Sequence, residues 1–279
     1  MLKKTLSLLV FSALGAAALF WLHIHGYLNQ KVEYATFLAE TEKRLTGSSL
    51  QFADSNPIMV LFHGCGGEMD HIGVWQQWFG EQGFAVYRVN SFAFRDLSAK
   101  DVCAGREFYG HERAADVLAA LDWIAQQHPH SQLIPIGWSH GGWSVMDALI
   151  MLQAGKSPTT LKEFPAASVE RIINRTPATV LIYPYCGYLS EVSKQSEWPI
   201  RRTLYIGIEG DRYVNEKECG YYWSNQPNHS EWLTATVFTD TWHAFDFSSN
   251  PQLNLTFDPS TTRKTKAILL DFFSQLKSG

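Results

Sequence analysis

The sequence predicts an α/β fold, a mostly parallel sheet with helices on both faces. Two patterns predict it: short apolar runs recur from Pro57 to the C-terminus, and segments with apolar residues at helical spacing alternate with them. Such alternation marks βαβ crossovers, which leave both faces of the sheet covered. Composition agrees. Of 279 residues, 46% are apolar and 18% charged, enough to bury a large core and unlike a disordered chain.

The elements follow in order. Ile58–Phe62 (IMVLF) reads as a strand ending at His63-Gly64; behind it Ile72, Trp75, Trp78 and Phe79 share one helix face, stopped at Gly83. Residues 84–90 (FAVYRVN) form the next strand, and 107–127 a helix with Ala114, Val117, Leu118, Leu121, Ile124 and Ala125 at helical spacing. Leu133–Trp138 (LIPIGW) is a strand leading into a mostly apolar helix over 142–154, closed by Gly155 with Pro158 just beyond. Strands at 180–185, Thr203–Ile208 and 234–239 follow, then an amphipathic helix carrying Ile268, Leu269, Phe272, Phe273 and Leu276. In such a sheet reactive residues sit where strands end at the carboxyl edge, which gives every motif a positional test.

The N-terminus is of another kind. After Lys3 and Lys4, residues 5–24 (TLSLLVFSALGAAALFWLHI) contain no Lys, Arg, Asp or Glu. As a helix rising about 1.5 Å per residue they would span roughly 30 Å, the thickness of a bilayer core. The expectation is an uncleaved anchor over 1–24. The competing reading is a cleaved signal peptide with LSLLVFSALG as its apolar region and cleavage at Ala16 to Ala18. Against it, the apolar run continues through Leu19, Phe20, Trp21 and Leu22. Either way Lys3, Lys4 and the terminal amine stay in the cytoplasm and the rest is exported: a membrane-anchored extracytoplasmic domain, or a secreted one. Residues 25–56 read as a polar juxtamembrane linker with a short helix in EYATFLAETEKRL, and 57–279 as one domain.

Lys plus Arg total 23 against 27 Asp plus Glu, a net charge of −4, so nothing neutralises a phosphate backbone and nucleic acid is not the partner. No cofactor, metal site or obligate protein partner is read from the chain. Cys65, Cys103, Cys186 and Cys219 form no CxxC pair and have no His at ligand spacing, so in an oxidising compartment they are expected as two disulfides. Three connectivities are open at this point.

Gly137-Trp138-Ser139-His140-Gly141 fits G-x-S-x-G, with the Ser directly after an apolar strand and directly before an apolar helix. That context suits a nucleophile on a sharp turn, with flanking glycines where a Cβ would clash and a helix N-terminus facing developing negative charge. A Ser hydroxyl needs a base, and His243 in Thr241-Trp242-His243-Ala244-Phe245 follows a strand. His63 reads as structural, His111, His128 and His130 lie on or beside a helix, His229 is in a polar loop, and His140 adjoins the Ser but points away. Asp211, just past Thr203–Ile208, is the expected orienting acid, with Glu209 the runner-up and Asp240 too near His243 along the chain. The order Ser, Asp, His suits this arrangement. His63-Gly64-Cys65-Gly66-Gly67 ends a strand with small residues, so the N–H groups of His140 and Cys65, with Gly66 the alternative, are expected to form the oxyanion hole. Trp138, Tyr185 and Trp242 are candidates for an acyl pocket, although core packing explains them equally.

On these residues the chain resembles the α/β-hydrolase superfamily, and within it the dienelactone hydrolase family. The resemblance covers about Pro57 to the C-terminus and rests on HGCGG, GWSHGGW around Ser139, YPYC at Cys186, EGD at Asp211 and WHAF at His243. It implies an α/β-hydrolase fold without a large cap domain, and cofactor-free hydrolysis of an ester or lactone. The chain departs from the family at the nucleophile, since the dienelactone enzymes carry Cys there; the dienelactone specificity is therefore not carried over. The family's D-S-F-x-x-R-G is altered at both ends in Asn90-Ser91-Phe92-Ala93-Phe94-Arg95-Asp96, and Arg95 is given no role. The fold also offers a pairing. Cys65 and Cys103 follow strands expected to be neighbours, as do Cys186 and Cys219, so those two bridges are expected.

The function expected is thus a serine hydrolase acting on a small-molecule ester or lactone through an acyl-enzyme. The alternatives are a secreted polyester depolymerase, a feruloyl esterase or a peptidase of the same fold, and outside catalysis a binding protein that has kept the fold.

Overall fold

The computed structural model describes residues 2–47, 57–194, 196–248 and 256–276, with the side chains of 2–12 excepted. Within these residues β1 (Leu45–Gly47), β2 (Ile58–Phe62), β3 (Ala85–Val89), β4 (Leu133–Trp138), β5 (Thr179–Ile182), β6 (Thr203–Ile208) and β7 (Leu233–Phe238) form one sheet in the order β1-β3-β2-β4-β5-β6-β7. β1 runs antiparallel to β3, and the other pairings are parallel. The expected α/β architecture is borne out.

The helices show why the strands are so apolar. α2 (Tyr34–Thr41), α5 (Gly110–Gln127), α6 (His140–Gln153) and α7 (Ala166–Arg175) bury one face; α3 (Asp70–Glu81) and α10 (Pro259–Leu276) bury the other. β2, β4 and β6 are therefore buried at every position, whereas β7 at the edge is partly exposed along its length. α1 (Leu2–Ile24), α4 (Ala99–Cys103), α8 (Glu216–Ser224) and α9 (His229–Trp232) complete the helices described. In register, Phe62 at the end of β2 lies beside Gly137 of β4, so the two glycine-containing motifs emerge side by side at the carboxyl edge.

Within the expected linker 25–56, residues 32–47 pack on the domain. Val32 bridges to Leu161, α2 packs Tyr34 and Phe37 into the core, the Tyr34 hydroxyl donates to Asp122 (2.5 Å), and β1 extends the sheet. A three-residue strand and an eight-residue helix carry too few apolar positions to show a period in so polar a segment. Residues 48–56 lie outside the described set.

α1 is one continuous helix, followed by Gly26 in the left-handed region (φ 73°). Among the described residues no helix is long and apolar enough to cross a membrane. The Lys3 and Lys4 side chains, on which the orientation of the anchor turns, lie outside that set.

Both expected disulfides are present, Cys65–Cys103 and Cys186–Cys219, with Cα atoms 4.9 and 5.2 Å apart. The first ties the turn after β2 to α4, and the second ties the loop after β5 to α8. They close loops of 38 and 33 residues, for which the chain-entropy relation gives about 3–4 kcal/mol each.

α6 holds the loop after β5 through Asp147, whose Oδ1 accepts from the Ser190 hydroxyl (2.8 Å) and the Glu191 N–H (2.7 Å). Burial is the main cause that pushes its carboxyl up to about 8; these hydrogen bonds oppose the rise and the neighbouring Glu191 charge adds to it. A folded value above the unfolded one means stability that is complete below about pH 4 and lost as pH rises through 8. Asp147→Asn keeps the acceptor and removes the titration. Its melting temperature is expected to exceed that of the wild type by roughly 3–6 °C at pH 9, the shift that about 1–2 kcal/mol produces in a domain of this size. Parallel melting-temperature profiles from pH 5 to 9 in the two proteins would refute this.

Candidate active site

Ser139 sits between β4 and α6 with φ 50° and ψ −115°, a conformation non-glycine residues adopt only when their surroundings impose it. The neighbouring glycines show how it is imposed. A Cβ on Gly137 would lie 2.6 Å from the Gly141 carbonyl carbon, and one on Gly141 would lie 2.1 Å from the Phe62 carbonyl oxygen. Backbone thus approaches backbone on both sides of the turn, and the Ser139 N–H donates to Ile182 of β5 (2.9 Å).

His243, in the loop after β7, places Nε2 2.9 Å from the Ser139 Oγ and Nδ1 2.7 Å from Oδ2 of Asp211. Asp211 follows β6. Its Oδ1 accepts from the N–H groups of Tyr213 (2.8 Å) and Val214 (3.3 Å), and its side chain is fully buried while that of His243 is 11% exposed. A carboxylate only accepts, so the ring proton belongs on Nδ1 and Nε2 is left to accept from the Ser139 hydroxyl. The rings of Tyr183 and Tyr213 lie against the imidazole, with centroids 4.7 and 5.2 Å away. Glu209 and Asp240 are exposed, and their described contacts do not include His243.

The turn after β2 flanks the serine, since a Cβ on Gly64 would lie 3.7 Å from the Ser139 Cβ. Its Gly67 N–H bonds back to the Gly64 carbonyl (3.4 Å), and among the described residues no backbone hydrogen bond engages the Cys65 and Gly66 N–H groups. The His140 N–H is the first of α6 and has no carbonyl one turn behind it to bond. His63 is structural as expected: Nε2 accepts from the Ser91 N–H (3.2 Å) and Nδ1 faces the Gly64 carbonyl (2.7 Å). His140 points its ring away from Ser139 to the Phe108 carbonyl (2.8 Å). Trp138 is fully buried, whereas Trp242 is 42% exposed.

Asp246 was not legible in the sequence. It is buried, and its carboxylate accepts from the indoles of Trp75 (2.6 Å) and Trp138 (2.9 Å) and from the Tyr183 hydroxyl. Burial raises its carboxyl above the ordinary value and the three donors oppose that rise. It thereby joins the residue before Ser139 to the ring packed on His243. A cleft of about 410 Å³ lies between the loop after β5 and α8, lined by Tyr188, Tyr221 and Tyr222 among others; Ser139, Asp211 and His243 are not in its wall. Among the described residues no cluster of three His, Cys, Asp or Glu side chains is placed to hold a metal ion.

No protein-family model and no curated protein matches the sequence. Solved structures do match. Esterase 2 of Thermogutta terrifontis, phosphoramylated by tabun, superposes with a TM-score of 0.60 at 13% identity over 83% of this chain and 89% of its own. The propionate-bound form of that esterase matches equally. A candidate dienelactone hydrolase from Klebsiella pneumoniae gives a TM-score of 0.57 at 15% identity over 83% and 92%. At these identities the likeness is one of fold, and the fold is that of the α/β hydrolases.

Proposed function

We propose that the chain is a serine hydrolase that cleaves a carboxylic ester or lactone by way of an acyl-enzyme. The observation that carries the reading is the unbroken relay Asp211–His243–Ser139, with distances of 2.7 and 2.9 Å, ending on a strained serine at the start of α6 and beside the turn after β2. The Ser139 oxygen attacks the carbonyl carbon as its proton passes to Nε2 of His243. Asp211 stabilises the resulting imidazolium, and the N–H groups of His140 and Cys65, with Gly66 the alternative, receive the oxyanion. His243 then protonates the leaving oxygen, and a water activated by the same ring releases the acid. The covalent organophosphate adducts of the Thermogutta esterase support the reading from outside.

The proposal extends to location. Two disulfides and the absence of a free cysteine among the described residues suit an oxidising, extracytoplasmic compartment. The finer reading, α1 as an anchor, rests on the uncharged run 5–24 in the sequence alone, since among the described residues no helix is long and apolar enough to cross a membrane. Extraction of membranes with alkaline carbonate tests it: protein released without detergent is not anchored.

A fluorophosphonate probe tests the chemistry. It is expected to label the protein at Ser139, and an ester series of increasing acyl length then bounds the pocket. A protein left unlabelled while turning over no ester would be the binding protein instead.

A further inference from the structure

Arg113, in the first turn of α5, is fully buried, yet among the described residues its guanidinium has no carboxylate within hydrogen-bonding or ion-pair distance. Nε donates to the Ser91 hydroxyl (2.9 Å), and Nη1 donates to the His63 carbonyl (2.8 Å) and faces Nδ1 of His140 (3.1 Å). These three partners are neutral. His140 must accept on Nδ1 and so carries its proton on Nε2, which donates to the Phe108 carbonyl. Burial, with the Arg113 charge second, holds that ring down to about 3. Asp116, the acid whose charge acts on Arg113, is taken by Arg95 (2.8 and 3.0 Å) and lies 3.6 Å from Arg44, so two other guanidinium groups already share that carboxylate. A buried cation without a direct counter-ion is costly unless something else needs it.

The atoms it grips suggest what that is. The His63 carbonyl opens the turn that carries the Cys65 N–H, and His140 carries the other N–H expected to receive the oxyanion. We propose that Arg113 is a positioning residue for the oxyanion site, its planar fork fixing the two donor segments against each other and its charge favouring negative charge between them. Ser91 steadies the same fork from the loop after β3, which gives the altered N-S-F segment a task. A lysine could supply the charge but not the fork.

The inference rests on the proposed hydrolase reading, so the test separates the two. Rates with an aryl acetate and its thiono analogue, whose sulfur accepts hydrogen bonds poorly, are measured for the wild type, Arg113→Met, Arg113→Lys and Ser91→Ala. Arg113→Met is expected to lose about 10²-fold in kcat, as loss of one oxyanion donor does, with KM within about threefold. Its preference for the oxygen ester over the thiono ester should fall in parallel, and Arg113→Lys should recover part of both. An unchanged kcat or an unchanged preference in a folded Arg113→Met protein overturns the inference. Where neither Arg113 variant gives the wild-type near-ultraviolet circular dichroism, Ser91→Ala decides by the same two readings. A wild type that no fluorophosphonate labels at Ser139 would instead remove the hydrolase reading.

Discussion

Ser139→Ala is expected to reduce kcat on an aryl ester by about 10⁴-fold or more while the protein remains folded. The substitution removes only Oγ. Alanine keeps the Cβ that the turn already accommodates, and the glycines at 137 and 141 still allow the close backbone contacts that hold the residue at φ 50°. His243 stays bonded to Asp211, so the base is present but has no hydroxyl to deprotonate. The melting temperature should therefore stay within a few degrees, and the residual rate should reflect the N–H donors and substrate binding alone. Initial rates with thermal melts on the same preparation check it. Turnover retained within tenfold would mean that the relay is structural and that another group attacks.

Asp211→Asn should cost about 10⁴-fold in kcat for a reason set by its surroundings. The N–H groups of Tyr213 and Val214 both point at Oδ1, so the asparagine carbonyl must turn to meet them. Its NH₂ group then takes the place of Oδ2 and faces Nδ1 of His243. That nitrogen has to accept, the ring proton moves to Nε2, and the imidazole can no longer take the proton of Ser139. The fold is retained because both backbone donors keep an acceptor. Glu209→Gln and Asp240→Asn, at exposed positions, are expected to stay within about twofold, as surface changes usually do. A loss in either comparable to that of Asp211→Asn would mean that the orienting acid is elsewhere.

Ser139, Asp211 and His243 were legible because each combines a suitable residue type with a place just past an apolar run, and parallel topology brings such places to one edge. What pattern alone left open was the choice of Asp211 over Glu209. Their surroundings differ, which is why Asp211 is the acid proposed: its carboxylate is buried against two backbone donors and His243, while Glu209 is exposed on the turn. Arg113 and Asp246 went unread because one looks like a charge on the polar side of a helix and the other like a loop acid. Only the packing of α5 beneath the turn after β2, and of the loop after β7 against Trp75 and Trp138, shows them to be buried.

By itself the sequence determined the α/β class, the strand order from Pro57 onward, the four longest helices of that region and the strand-end residues, because hydrophobic periodicity and glycine placement are local properties; α4, α7, α8 and α9 were not read from it. Tertiary structure alone decided that 32–47 packs on the domain. It also decided that a buried guanidinium and a buried carboxylate stand behind the serine and the histidine. Those facts depend on which surfaces meet, and a contact between residues far apart along the chain leaves no period in the sequence from which it could be read.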